Sequence, residues 1–201
     1  MQAESPRSRA LGLLQGGAVR RTRDFAAIGV PRVVLTRLVR DGEIERIGRG
    51  LYALVGTGGD ANRELAQVAL RVPQAVVGLL SALRFHDMTS ESPHEVWVLL
   101  PRGSRRPVLD YPPLRVSWVA APLFADDIEE HEIEGVPVRV TSPARTVAEL
   151  FKYRNRVGID VCVDALRALL ARDRTARPEL RHSAERLRVA EVMRPYLEAL
   201  S

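Results

Sequence analysis

Glycine cuts the first quarter of this 201-residue chain into short pieces, and no other feature constrains its fold as much. Gly16-Gly17, Gly29, Gly42 and the pair Gly48 and Gly50 leave room only for single short helices or strands between them. Ser8 to Gln15 suits a short helix that Gly16-Gly17 ends. Thr22 can cap a second helix over Arg23 to Ile28, which Gly29 breaks. Pro31 suits the first position of a third helix, Pro31 to Asp41, and Gly42 ends it. Glu43 to Ile47 alternates polar and apolar residues as a half-buried strand does. Gly48-Arg49-Gly50 is a tight turn, and Leu51 to Leu54 is the returning strand. The order helix, helix, turn, helix, hairpin is that of a winged helix-turn-helix.

The charge distribution coincides with this module. Residues 1–56 carry ten arginines against five acids, an excess of +5. The remainder carries equal numbers of basic and acidic residues, so the whole net charge of +5 belongs to the first quarter. A basic head on a neutral body reads as a polyanion-binding module joined to a part with another task. Nearly all the basic residues are arginine, and Lys152 is the one lysine. Arginine forks suit phosphates and guanine edges better than an ammonium does.

The third helix carries the candidate chemistry. At about 100° per residue, Pro31, Leu35, Leu38 and Val39 fall on one face, and Val33, Thr36, Arg37 and Arg40 on the other, with Arg32 at the N-terminal edge. One side is built to pack. The other carries the side chains that read base edges in a major groove. Arg32, Val33, Thr36 and Arg37 are therefore expected near bases, and Arg40 near phosphate. Arg20, Arg21, Thr22 and Arg23 precede or open the second helix, where amides and guanidinium groups can clamp a phosphate. Arg46 and Arg49 lie on the hairpin that would form the wing and can reach backbone or minor groove. Double-stranded DNA is the expected ligand.

The composition shifts at Val55-Gly-Thr-Gly-Gly-Asp60, which reads as a linker and gives domains of 1–56 and 57–201. The second is expected to be α+β, with strands in the middle and helices on both sides. Helices are expected over Asn62 to Val72 and Ala75 to His86. Strands are expected over Glu95 to Leu100 and Leu114 to Val119, with two more joined at Glu134-Gly135. Ser142-Pro143 starts a helix whose apolar face is Val147, Leu150 and Phe151. Ile159, Cys162, Val163, Leu166, Leu169 and Leu170 follow the spacing of another. Pro178 opens a long helical segment with a kink at Pro195. Trp97 and Trp118 sit within strands and are expected in the core.

These residues resemble a known family. The stretch GGAVRRTRDFAAIGVPRVVLTRLVRDGEIERIGRGLYAL is similar to the N-terminal winged helix-turn-helix of AbiEi-type antitoxins of type IV toxin–antitoxin systems. Arg23-Asp24-Phe25, Gly29-Val30-Pro31-Arg32, Leu35, Leu38-Val39, Gly42 and Arg49-Gly50-Leu51-Tyr52 carry the match. TSPARTVAELFKYRNRVGIDVCVDALRALL and LRVAEVMRPYLEAL also resemble that family. The resemblance implies two roles. The winged domain would bind inverted repeats in the operon's own promoter and repress it. The second domain would help neutralise a toxin that resembles nucleotidyltransferases.

Other readings stay open beside this one. A stand-alone winged-helix transcription factor would use its α+β domain to sense a ligand or to dimerise. A nucleic-acid-processing enzyme would need chemistry the sequence does not supply. It has no Gly-rich phosphate loop and no nucleophile elbow, and Lys152 falls on a helix rather than at a strand end beside paired carboxylates. No catalytic residue is assigned. His86, His94, His131 and His182 show no helical ligand spacing, so no metal or other cofactor is expected. Cys162 lies on an apolar stripe and reads as a small buried hydrophobe. In the acidic stretch Asp126–Glu134, Glu130, Glu132 and Glu134 are candidates for partner contact, with an exposed hairpin as the plainer reading. Arg145 opposes the dipole of its helix and is expected to pair with Glu149 or an acid of that stretch, with partner contact second. No run is long and apolar enough to span a membrane, and the N-terminus lacks a signal peptide's apolar core. A cytoplasmic protein is expected.

Overall fold

The computed structural model describes residues 4–56 and 62–200. Thr57, Gly58, Gly59 and Asp60 of the expected linker lie outside them. The chain divides into two compact units, Met1–Pro73 with Glu132–Val138, and Gln74–His131 with Arg139–Ser201.

The first unit is the winged helix-turn-helix. It runs α1 (Pro6–Leu13), a 3-10 turn at Gln15–Gly17, β1 (Arg20–Arg21), α2 (Thr22–Ala27), α3 (Arg32–Arg40), β2 (Ile44–Gly48), β3 (Leu51–Leu54) and α4 (Asn62–Arg71). Ser5 caps α1 by accepting from the Ser8 amide at 3.1 Å. Gly29, at φ 70°, makes the turn between α2 and α3, a left-handed conformation that costs other residues about 1–2 kcal/mol. The sheet order is β1-β3-β2, all antiparallel. Ala10, Leu14, Phe25, Val30, Leu35, Leu38 and Ile44 form the core, and Phe25 meets Tyr52 edge to face at 5.8 Å. The packing face of α3 differs from expectation: Pro31 and Val39 are exposed, while Val34 packs against this core.

Helix α4, beyond the glycines at 56–59, is part of this unit by its contacts. Arg63 donates to Glu45 at 2.9 Å and to Glu134 at 3.3 Å. Arg71 lies against Gly48 and reaches the Arg49 carbonyl at 3.5 Å.

The second unit is α+β. It contains β4 (Val76–Val77), α5 (Leu79–Phe85), β5 (Val96–Pro101), β6 (Leu114–Val119) and α6 (Ala121–Phe124). Strands β7 (Ile128–Ile133) and β8 (Val136–Thr141) follow, and their joining turn belongs to the first unit. Then come α7 (Pro143–Lys152), α8 (Arg154–Val157), α9 (Ile159–Arg172), α10 (Arg177–Arg186) and α11 (Ala190–Ala199). The sheet order is β6-β5-β4-β8-β7, with β5 parallel to β6 and β4 parallel to β8. Helix α7 is central. Every residue from Ala144 to Phe151 is buried, and α5, α9 and α10 pack on it. Ser142 caps it by accepting from the Arg145 amide.

Four expectations need correction. Val76-Val77 is a strand, not the start of a helix; it pairs with both β5 and β8. A short apolar run carries no periodicity that separates the two. The C-terminal break falls at Leu187–Val189, with Arg188 at φ 59°, and Pro195 lies inside α11. Trp118 is 39 % exposed because β6 is an edge strand, whereas Trp97 on the inner β5 is buried. Ile159 is exposed at the start of α9, whose buried face is Cys162, Ala165, Leu166, Leu169 and Leu170.

Candidate nucleic-acid interface

Helix α3 separates its two faces sharply. Leu35 and Leu38 are buried, while Arg32, Val33, Thr36, Arg37 and Arg40 all face solvent. Val33 is 55 % exposed, an apolar side chain left where packing does not need it. Thr36 donates back to the Arg32 carbonyl at 3.2 Å, which leaves its methyl and lone pairs outward. Arg40 pairs with Asp41 at 3.0 Å, both exposed. Arg32 and Arg37 make no side-chain hydrogen bond or ion pair with any described residue. The first turn of α3 contains no acid, and its cap, Pro31, supplies no side-chain acceptor. The free amides and positive dipole end therefore stand beside Arg32 without an anion.

The flanking arginines fall into two groups. Arg23, Arg46 and Arg49 are exposed. Arg23 lies 3.8 Å from Asp24, and Arg46 donates to the Gly48 carbonyl at 3.3 Å. Arg49 stands at the tip of the β2–β3 hairpin, where Gly50 turns at φ 71°. Arg20 and Thr22 are instead committed inside the unit. Arg20 donates to the carbonyls of Val19 and Gly135 at 3.0 and 2.9 Å. Thr22 bonds the Gly50 carbonyl through its amide at 2.9 Å and its hydroxyl at 3.3 Å, tying α2 to the wing. Arg21 is half-buried and its amide donates to Asp24 at 2.7 Å. Burial pushes its pKa down, Arg23 adds to this, and Asp24 opposes it. A bound anion would offset that loss of hydration.

The acidic candidates do not form one site. Glu130 and Glu132 are exposed on β7. Glu134, at φ 50°, is held by Arg63, and its carbonyl accepts from the Val19 amide at 3.0 Å. Arg145 is 2 % exposed and pairs with the equally buried Glu149 at 2.9 Å, the i+4 carboxylate among its two expected kinds of partner. It also donates to the Asp126 carbonyl, so it does not reach a docking surface. Burial pushes the Glu149 pKa up and Arg145 opposes the shift. Asp126 pairs with Arg186, and Asp127 accepts from Ser183 at 2.7 Å. Cys162 is a buried thiol bonded to the Gly158 carbonyl, its pKa pushed up to about 11 by burial. Among the described residues no group of three or more His, Cys, Asp or Glu is placed to hold a metal ion. No helix there is long and apolar enough to cross a membrane.

Sequence reasoning missed Arg63 and Arg71. Both lie beyond the glycine-rich boundary, and no local pattern separates them from ordinary exposed arginines of a helix.

The three-helix order, the wing and the outward basic face of α3 define a winged-helix DNA-binding regulator module. Residues 15–55 match the family described as "Transcriptional regulator, AbiEi antitoxin", so this module is similar to that family over those residues. No curated protein matches the chain. Among solved structures, the RV2827C protein from Mycobacterium tuberculosis is similar with a TM-score of 0.59. The match covers 92% of this chain and 72% of that one at 16% identity, which speaks to the fold alone.

Proposed function

We propose that this chain is a transcriptional autorepressor and antitoxin that binds inverted repeats in its own promoter through the outer face of α3. The observation that carries this reading is the pair Arg32 and Arg37, exposed and without a side-chain partner among the described residues, on a helix whose opposite face is core. Arg32, Val33, Thr36 and Arg37 enter the major groove, and Arg40 and Arg23 meet phosphate. Arg46 and Arg49 on the wing touch backbone or minor groove. Arg21 and the start of α2 add a phosphate contact, whereas Arg20 and Thr22 act by holding the wing and β1 in place. The second unit serves a protein partner, a nucleotidyltransferase-like toxin, and the chain itself is not an enzyme and works in the cytoplasm.

A gel shift on the region upstream of its own gene tests the DNA reading. A shift that needs Arg32 and Arg37 supports it; no shift at low salt on any promoter fragment rejects it. Co-expression with the product of the adjacent reading frame tests the antitoxin reading, which fails if the full chain gives no rescue from toxicity.

A further inference from the structure

The second unit holds a basic cleft that the DNA reading does not use. It has a volume of about 510 Å³ and is lined by Arg102, Lys152, Arg186 and Arg188. A smaller recess of about 120 Å³ shares Arg102 and Lys152 with it and is walled by Trp118 and Tyr153. Arg186 is answered by Asp126. Arg102, Lys152 and Arg188 make no ion pair with any described residue. Lys152 donates only to the Leu187 carbonyl, at 3.4 Å. The one acid in the lining, Glu149, is already paired with Arg145. This unit comes from the part of the chain that carries no net charge, so three cations without an ion pair around one concavity, with Lys152 near the buried Glu149, are a local concentration.

The backbone at Arg188 points the same way. It follows the end of α10, where its amide and that of Val189 close the helix onto Glu185 and Ala184 at 3.0 and 2.8 Å. This position has φ 59°, the left-handed conformation for which glycine is the default. The chain keeps an arginine there at a conformational cost and thereby gains a cation on the rim of the cleft.

We propose that this cleft binds a small phosphate-bearing ligand with a flat ring, of the nucleoside-phosphate class. Arg102, Lys152 and Arg188 take the phosphates. Trp118, 39 % exposed with its indole N–H held by the Ser104 carbonyl at 3.1 Å, offers a ring face to the base. The volume falls within the range of small-ligand pockets. A DNA backbone would contact an extended basic stripe; here the cations line a cleft that shares Arg102 and Lys152 with an aromatic-walled recess. No residue lining the cleft or the recess belongs to α3.

The test uses the full chain, titrated with ADP, CDP, GDP and UDP in turn and with the matching nucleosides, followed by calorimetry and tryptophan fluorescence. At least one diphosphate is expected to bind saturably and quench fluorescence, with its nucleoside about tenfold or more weaker. Trp118→Phe should abolish the quench while calorimetry still reports binding. Arg102→Ala with Lys152→Ala should weaken binding about tenfold or more, and Arg181→Ala, exposed and outside the cleft, should not. Arg188→Gly separates ligand from structure: it relieves the left-handed strain, so the melting temperature holds or rises while affinity falls. No saturable binding by any of the four, or affinities unchanged in these variants, overturns the proposal. So does a loss of promoter affinity in the Arg102/Lys152 double variant without loss of nucleotide binding, which would assign the cleft to DNA. Failure of promoter binding in the wild type with nucleotide binding intact would count against the DNA reading alone.

Discussion

Arg32 and Arg37 are the side chains on which DNA reading depends most. Each is exposed, has no side-chain partner among the described residues and can fork onto a guanine edge, so Arg32→Ala and Arg37→Ala should each cost about 1–3 kcal/mol of specific binding. Competition gel shifts with promoter and unrelated DNA measure this, and the loss should be larger on the promoter. Buried titratable groups make different predictions. His86 sits with Nε2 2.7 Å from the Thr141 carbonyl, near Glu129, His131 and Arg172. Burial pushes its pKa below the ordinary histidine value, so the native state favours the neutral ring. That contribution to stability is present above about pH 6.5 and is lost as pH falls through the lower native value. Denaturant midpoints should therefore drop on acidification, and His86→Gln should flatten part of that slope. Cys162, with its thiol held up to about 11, should resist thiol reagents at neutral pH until the chain is unfolded.

At the scale of elements, the wing and the helix-turn-helix are one device. Thr22 bonds the Gly50 carbonyl twice, and Arg71 of α4 backs Gly48 and Arg49 from the other side. Arg49→Ala should weaken binding to all sequences alike and reduce the salt slope by about one phosphate contact. Gly29 tests the turn. Alanine at φ 70° costs about 1–2 kcal/mol, and its Cβ would meet the Arg9 guanidinium at 3.2 Å. Gly29→Ala should lower the melting temperature without removing any DNA contact. Much of this was legible. Glycine and proline mark helix ends by backbone sterics, so the boundaries of α2, α3 and the hairpin follow from local chemistry. Val76-Val77 and Trp118 were not legible, because strand pairing and edge position are decided by segments far away in the chain.

At the scale of the whole chain, Arg63 matters most. Eleven per cent of its side chain is exposed, and it answers Glu45 of β2 and Glu134 from the 132–138 segment. Arg63→Met should destabilise the first unit by about 1–3 kcal/mol, since it strips a charge-assisted bond from Glu134. Thermal unfolding followed by circular dichroism reads this. A fragment ending at residue 56 should melt below the full chain, because it lacks α4 and the Gly135 carbonyl that holds Arg20. By itself the sequence determined the winged module, the residues of α3 that face solvent and the confinement of net charge to the first quarter, and it narrowed the partner of Arg145 to Glu149 or an acid of the 126–134 stretch. Each depends on spacing within one segment or on counting. Tertiary structure alone decided that half-buried Arg20 and Thr22 bond carbonyls of their own unit, that α4 and the 132–138 segment complete the module, and that Arg102, Lys152 and Arg188 share one cleft. Those contacts join residues between 18 and 115 positions apart, and only folding brings their charges and carbonyls within reach of one another.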